Sequence, residues 1–449
     1  MSDFAAVDLG AESGRVVTGR LEGARVTLKE VHRFANRPVR LPDGLRWNLL
    51  SLYTDALEGL RRAGDLRGIG VCSWGVDYAL LDRANRVLGL PFHYRDKRTD
   101  GMVSRAHARV SRDELYATCG IQTMPINTVF QLLADEGTPA LAAAERIALV
   151  PDLFNLWLTG ELGNEITNAS TTGLLDARAG TWARELIARL GLPAAPFASD
   201  PVEPGRTLGA HYGVPVHLVA SHDTASAFVA APLRSPRAAI LSSGTWSLLG
   251  LELREPALDA RAAAYNLTNE RGVDGTIRLL RNVMGLWLVQ ECRRAWGDPD
   301  YAELHRLAAE ADPDVALFDP DADAFLAPDD MPRAIVDACR AAGLEPPGTR
   351  GEIVRSALVS LACKYRLVLE RLQRATGREV LAGPVEATAL GNVLVQARAA
   401  GEAGSLSELR ALAAASAEPV LYEPRGGGQD TYERFLAVTG LTVDAPVHA

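Results

Sequence analysis

The apolar stretch Val216–Ala220 runs directly into Ser221-His222-Asp223-Thr224-Ala225. A short apolar run of this kind reads as a buried strand. In an α/β sheet, ligands sit just beyond the C-terminal ends of the strands. A carboxylate at that place, among small and hydroxyl side chains, has the chemistry of a general base. Asp223 can take the proton of an attacking hydroxyl while a phosphoryl group is transferred to it. Asp or Ser before a run of small residues is also the pattern of a helix N-cap. Spacing leaves both roles open.

Two segments of the chain resemble each other and supply a second kind of chemistry. Ala5 to Arg15 reads AAVDLGAESGR, and Ala238 to Ser247 reads AAILSSGTWS. Each is an apolar run that breaks into a Gly/Ser turn and resumes as a strand pattern (Val16–Arg20, Leu248–Leu251). Such turns expose backbone N–H groups that can cradle phosphate oxygens. One turn per half suggests two similar lobes gripping a nucleotide from opposite sides; two ordinary Gly hairpins give the same pattern. Asp8, just ahead of the first turn, is placed to hold Mg²⁺ through water beside phosphates, or simply to shape the turn.

Other polar residues join these. His222 can hydrogen-bond a substrate hydroxyl, or be a satisfied structural histidine. Trp74, in Trp74-Gly75-Val76-Asp77, can floor a sugar site, although a Trp among Leu and Val is usually core. Tyr94 to Thr99, YRDKRT, is dense in hydrogen-bonding groups and also fits a solvated charged loop. Asn282 and Gln290 lie about two helical turns apart and would share one face, facing ligand hydroxyls, nucleotide or a solvent edge. The chain has no G-x-x-x-x-G-K-[ST] loop, no G-x-G-x-x-G after a strand, no H-E-x-x-H or Cys/His zinc set and no G-x-S-x-G elbow.

These residues need elements to hold them. The 449 residues predict two or three domains. The net charge of −9 argues against nucleic acid as the default partner. The five cysteines are scattered, without zinc-type spacing, and read as reduced structural thiols. No long clean apolar segment suggests a membrane span or a signal peptide, so a cytoplasmic protein is expected. Strands are predicted at Phe4–Val7, Val26–Phe34 and Ile69–Cys72. A hairpin is expected around Arg83–Asn85. A helix is predicted over about 48–63, its buried face carrying Leu49, Leu50, Tyr53, Leu57 and Leu60. The region from about 100 to 200 is mostly helical in pattern. A strong helix carries Val354, Leu358, Leu361, Tyr365, Val368 and Leu372 on one face and stops at Gly377. A short apolar run, Val380–Ala382, then leads through Gly383 to Gly391 into another helix. A domain boundary falls after Pro232–Arg237, giving domains 1–234 and 235–449.

Taken together, the motifs resemble those of the rhamnulokinases, within the FGGY carbohydrate kinases. The resemblance runs nearly end to end. It rests on Val7 to Arg15, Trp74 to Asp77, Tyr94-Arg95-Asp96 with Arg98-Thr99, Tyr116 through Asn127, Pro151-Asp152 and Thr167 to Ala169. It continues through Ser221 to Ser226, Leu241 to Ser247, Asn282 to Trp287, Gly383 to Ala387 and Leu390 to Asn392. It implies the two-lobed sugar-kinase/hsp70/actin (ribonuclease H-like) fold, with duplicated α/β domains flanking a cleft. It implies ATP-dependent phosphorylation of L-rhamnulose at its 1-hydroxyl, with Mg²⁺. By motif, Asp223 would be the proton acceptor. Gly75, His222, Asp223, Thr224 and Asn282 would contact the sugar. Ala11, Glu12, Ser13, Gly14, Arg15, Thr245 and Gln290 would bind ATP, and Asp8 the metal. The resemblance implies no oligomeric state.

One departure matters. Members of the family carry a strand, a Gly-Gly-Gly loop lying against the adenosine, and a helix before the Gly-Pro-Val-Glu-Ala segment. Here Leu369 to Gly377 runs straight into Arg378 to Pro384, and Gly426 to Gly428 comes too late to substitute. A core strand and part of the nucleotide site are therefore expected to be absent. A sugar-binding relic without turnover, or a kinase for a related ketose, stand as the alternatives.

Overall fold

The computed structural model describes residues 3–233, 238–376, 387–416 and 428–444. Its first sheet is built from β1 (Asp3–Leu9), β2 (Ser13–Glu22), β3 (Arg25–Ala35), β4 (Leu66–Ser73), β5 (Arg206–His211) and β6 (Val214–Leu218). The strand order is β3-β2-β1-β4-β6-β5. β1 pairs antiparallel with β2 (Val7↔Val16) and parallel with β4 (Val7↔Val71), and β4 is parallel to β6 (Ile69↔Val216). β1 is apolar on both faces because both faces are covered, as a strand with a parallel partner requires.

The second sheet comprises β7 (Ala239–Ser243), β8 (Trp246–Leu253), β9 (Thr268–Arg271) and β10 (Ile277–Met284), in the order β7-β8-β10-β9. Every pairing in it is antiparallel. Among the described residues β7 pairs with β8 alone. Both Gly/Ser turns are hairpins, as the sequence predicts. The first closes with Asp8↔Arg15 and Leu9↔Gly14, the second with Ser243↔Ser247.

Helix α1 (Leu49–Ala63) is capped by the Asn48 side chain and ends at Gly64. It buries Leu49, Leu52, Ala56 and Leu60, while Leu50 is 63% exposed. The predicted stripe included Leu50, yet a step of about 100° per residue turns it away from Leu49. The hairpin expected near residue 84 forms only in part. Tyr78–Leu81 touches Val87 through one bridge and takes Arg146–Leu149 as its strand partner. Helix α2 (Asp223–Val229) starts at the candidate base; α3 (Trp287–Ala295) follows β10. The long helix α4 (Arg350–Thr376) buries Val354, Leu361, Val368 and Leu372 in the core of the second sheet.

Helices α5 (Ala387–Ala399) and α6 (Leu406–Ser416) belong to the second half of the sequence, yet they pack on the first sheet and on α2. The buried amides of α5 tie it there. Asn392 Nδ2 donates to the Gly70 carbonyl at 3.2 Å, and Gln396 Nε2 to the Ala5 carbonyl at 3.0 Å. α5 approaches α2 so closely that a Cβ on Gly391 would lie 1.8 Å from the Ser226 carbonyl oxygen. Only glycine fits there. The Gly377 stop, the run Val380–Ala382, the Gly383–Val385 segment and the expected loss of a strand–loop–helix unit around them all fall in 377–386, outside the described residues; of Gly426–Gly428, only Gly428 is described.

Candidate active site

A cavity of about 360 Å³ lies between the two hairpins. Gly10 to Ser13 line one side and Ser242 to Trp246 the other. Trp74, Gly75, Val76, His222, Asp223, Thr224, Asn282 and Gln290 also face it. Most of the predicted site is therefore brought together. Asp8, Gly14 and Arg15 are not among the lining residues. They sit on the strands behind the first turn, where Arg15 Nε donates to Asp8 Oδ2 at 2.9 Å. Asn282 and Gln290 share the cavity but not a helix. Asn282 is on β10 and Gln290 on α3, with the turn at Gly285 between them. The shared helical face that the spacing predicts does not exist; a strand and a helix bring the two amides to one cavity instead.

Asp223 stands at the first turn of α2, as an N-terminal acid should. Its side chain is 30% exposed, toward the cavity. Its Oδ1 accepts from the Thr224 backbone N at 2.5 Å and from Thr224 Oγ1 at 3.1 Å. Burial raises its pKa; His222 and the Thr224 donors pull it back without cancelling the rise. The approach to Asp223 is fixed by a buried carboxylate. Glu165 Oε2 accepts from the Ser221 backbone N at 3.0 Å, from Ser221 Oγ at 2.8 Å and from Thr167 Oγ1 at 2.6 Å. Ser73 N in turn donates to the Ser221 carbonyl at 2.9 Å, extending the β4–β6 pairing to the loop that carries Asp223.

The floor of the cavity is aromatic. Trp74 is buried and faces the cavity, so it is both core and floor. Asp77 Oδ2 accepts from Trp74 Nε1 at 2.9 Å and Trp47 Nε1 at 2.5 Å, and Asp77 Oδ1 from Gln131 Nε2 at 2.9 Å. Burial pushes the Asp77 carboxyl up to about 6, against these three donors. Between Gly75 and Asp77, Val76 holds a φ of 69°, a strained value for a β-branched residue. Its backbone N–H donates to Thr171 Oγ1 at 3.0 Å and its carbonyl accepts from Thr128 Oγ1 at 2.6 Å. Tyr94 to Thr99 is not a solvated loop. Tyr94, Arg95, Asp96 and Thr99 are buried, and the Arg95 guanidinium lies 4.0 Å over the Trp287 ring while donating to the Leu326 carbonyl.

The second hairpin is braced from behind. Leu286 N donates to the Gly244 carbonyl at 2.9 Å and Trp287 N to the Thr245 carbonyl at 3.1 Å. Ser247 Oγ and Tyr365 OH on α4 share a hydrogen bond of 2.6 Å. A Cβ on Gly285 would stand 2.5 Å from Ser247 Oγ, so a glycine there lets β10 pass under the turn. Gln290 Oε1 is buried, has no hydrogen-bond partner among the described residues, and belongs to a side chain that lines the cavity.

Asp77, Gln122, Glu165 and Glu270 were not singled out from sequence. Asp77 and Gln122 lay inside quoted motifs, but nothing local marks a carboxylate or amide as buried. Glu270, on β9, faces the cavity beside Thr268; period-two alternation in Thr268–Arg271 was the only signal. Among the described residues no cluster of three or more His, Cys, Asp or Glu side chains could hold a metal ion. Asp8 and Asp223 flank Cys72, whose thiol burial and both carboxylates push up. That donor set suits a cation held mostly by phosphate oxygens and water, and does not form a protein cage.

Two lobes, each opening a hairpin onto one cleft with a carboxylate at its base, define a carbohydrate kinase of the actin-like fold. Residues 52–202 match the N-terminal domain, and residues 239–382 the C-terminal domain, of the "FGGY family of carbohydrate kinases". The chain belongs to that family. Its relatives include the rhamnulokinase of Bacteroides thetaiotaomicron, 38% identical over 94% of this chain and 96% of that protein. The rhamnulokinase of Pectobacterium atrosepticum is 41% identical over 98% of this chain and 97% of its own. That second alignment runs over 482 positions against a chain of 449, so the relative carries residues that this chain lacks. Similar solved structures include xylulose kinase from Rhodospirillum rubrum, with a TM-score of 0.70, 20% identity and 97% of each chain covered. Plasmodium falciparum glycerol kinase with ADP superposes with a TM-score of 0.70 at 14% identity, covering 98% of this chain and 97% of that one. No helix among the described residues is long and apolar enough to cross a membrane.

Proposed function

We propose that this chain is a rhamnulokinase, transferring the γ-phosphoryl group of ATP to the 1-hydroxyl of L-rhamnulose. The observation that carries the reading is the position of Asp223, at a helix start, with its carboxylate partly exposed to a cavity shared by two Gly hairpins. The chemistry named by the full-length relatives supports the choice of ketose. The sugar lies on the Trp74 floor, with Gly75, His222, Thr224 and Asn282 as its contacts. Asp223 takes the proton of the 1-hydroxyl as that oxygen attacks the γ-phosphorus, and the bond to the ADP oxygen breaks. Ala11 to Ser13 and Thr245 offer hairpin amides and hydroxyls to the phosphates, and Gln290 offers its unpartnered oxygen to the nucleotide. Gly14 and Arg15 act from behind, Arg15 by holding Asp8. Mg²⁺ would sit on the phosphates, reached by Asp8 through water, and would neutralise charge developing on the transferred group. Dividing the chain at about residue 235 gives a sugar-side half and a nucleotide-side half, with α5 and α6 returning to the first. The reading places the reaction in the cytoplasm, with neither nucleic acid nor membrane as partner.

The test is ADP release coupled to a reporter, with L-rhamnulose, run beside Asp223→Asn. Turnover by the natural chain, with loss in the variant, is expected. Well-folded protein that binds the ketose but releases no ADP would overturn the reading and leave a sugar-binding relic.

A further inference from the structure

The second sheet reaches the proton acceptor through a line of polar and ionisable side chains. His222 Nε2 is 3.5 Å from Asp223 Oδ1, and His222 Nδ1 is 3.2 Å from Glu270 Oε2. Glu270 Oε2 is 3.0 Å from Arg278 Nη1. Glu270 and Arg278 are register partners on β9 and β10, so this pair is built into the second sheet. His222 and Asp223 belong to the other side of the cleft, where β6 ends.

This ion pair is not a surface accident. Arg278 is fully buried and Glu270 is 4% exposed. Arg278 reaches past Glu270 as well: Nε donates to the Arg271 carbonyl at 3.0 Å, and Nη2 lies 3.4 Å from the Thr167 carbonyl and 3.2 Å from His222 Nδ1, so the Glu270–Arg278 pair meets His222 as a unit. Burial alone would raise the Glu270 pKa, but Arg278 and His222 outweigh it and the net direction is down. Glu270 is therefore an ionised carboxylate kept in a dry place. Two charges buried only for structure gain little over an apolar pair of the same volume. Glu270, moreover, lines the cavity instead of facing the core. The Asn282 amide, on the same cavity, also favours the ionised form of Glu270. Asn282 is fixed from its far side by Gln122, whose Oε1 takes Asn282 N at 2.8 Å and Nδ2 at 3.2 Å.

We infer that Glu270 is a positioning residue for phosphoryl transfer: from the second sheet it sets His222, and through it Asp223, on one side of the sugar, and Asn282 on the other. The inference rests on the kinase reading and adds to it a residue that no motif assigned. β9 is itself tied to the sugar side, through Asn269 N to the Gly120 carbonyl at 2.8 Å and Arg271 N to Ser170 Oγ at 2.9 Å, which holds Glu270 against His222. Loss of the Glu270 charge leaves His222 and Asp223 less well aligned on the sugar hydroxyl.

The experiment uses the full chain and compares Glu270→Gln, which keeps shape and loses charge, with Glu270→Asp, which keeps charge. ADP release is measured against L-rhamnulose and against ATP separately, and ketose and ATP binding by calorimetry. For Glu270→Gln the expected result is a kcat at least about tenfold lower and a ketose affinity about tenfold weaker, with ATP affinity within about twofold of the natural chain. Sugar-independent ATP hydrolysis should rise relative to sugar phosphorylation. Glu270→Asp should recover part of the loss. The effect of Glu270→Gln should largely vanish in a His222→Ala background, since the two act in one line. Ketose binding, kcat and hydrolysis ratio all within about twofold of the natural chain would overturn the inference. So would losses that multiply independently with His222→Ala. If Glu270→Gln does not fold, Glu270→Asp decides: unaltered ketose affinity and kcat overturn the inference, and a selective ketose defect supports it. A natural chain that binds L-rhamnulose without turnover defeats the functional reading alone, because the calorimetric comparison still tests Glu270.

Discussion

β1 and β7 start their sheets in the same way, each running into a Gly/Ser hairpin, but their surroundings differ. β1 has an antiparallel partner on one side and a parallel partner on the other. Among the described residues β7 has β8 alone. The turn after β1 is steadied within its own sheet: Arg15 holds Asp8, and Asn36 Nδ2 donates to the Gly10 carbonyl at 2.9 Å. The turn after β7 leans on helices instead, through the first amides of α3 and through Tyr365 of α4. The first side of the cleft is thus a sheet-centred frame that also carries the candidate base. The second is a hairpin propped by helix packing. The difference predicts that damage to the first side stops the chemistry or the fold, whereas damage to the props of the second hairpin, away from Glu270, tunes nucleotide binding.

The largest effect belongs to Asp223→Asn. It should lower kcat about a hundred- to ten-thousand-fold while ketose binding survives, checked by steady-state kinetics beside calorimetry. Next comes Gly391→Ala. The new methyl meets a backbone carbonyl that cannot step aside, so α5 must shift off α2, costing about 3 kcal/mol or more. A thermal melt should show that loss, with activity falling as the folded fraction falls.

The pH dependence of stability tests the same frame. Asp77 has a folded pKa of about 6 because it is buried, against about 3.9 in an unfolded chain. A raised carboxyl pKa means that the folded state holds the proton more tightly. Its contribution is full below about pH 4 and is lost as pH rises through about 6; the shift corresponds to at most about 3 kcal/mol. Urea melts between those two pH values should show this negative slope, and Asp77→Asn should remove it. The smallest effect is Tyr365→Phe on the propped side. Losing one hydrogen bond to Ser247 costs about 1 kcal/mol. It should raise the KM for ATP a few-fold and leave that for the ketose unchanged. Equal effects on both substrates would erase the distinction between the two sides.

Local chemistry in the sequence was a good guide to the first side. Short apolar runs, Gly turns and the Ser221–Ala225 segment located β1, β4, β6, both hairpins and Asp223, because each of these announces itself within about ten residues. Leu50 shows the limit of a pattern read as a list, since its place on the turn of α1 and not its apolarity decides its exposure. Asn282 and Gln290 show another limit: a turn at Gly285 separates a strand from a helix within what reads as one apolar run. Glu270, Glu165 and Asp77 were hidden for a deeper reason. A carboxylate in a strand or loop looks the same in sequence whether water or tryptophan surrounds it, and burial is set by chain segments far away. The return of α5 to the first sheet belongs to the same class. Nothing near Ala387 says that its helix will pack on strands more than three hundred residues earlier.

That return has a consequence for how the chain is made. Ala5 and Gly70 offer carbonyls that wait for Gln396 and Asn392, and the core around Phe4, Ala6 and Val219 is closed by Leu390, Val393 and Leu394. On the ribosome, the first sheet emerges early but stays unfinished until nearly nine-tenths of the protein has been synthesised. A fragment ending near residue 235 would carry the candidate base and the aromatic floor of the cavity, yet expose an uncovered apolar sheet face, and should collect in aggregates unless a chaperone holds it.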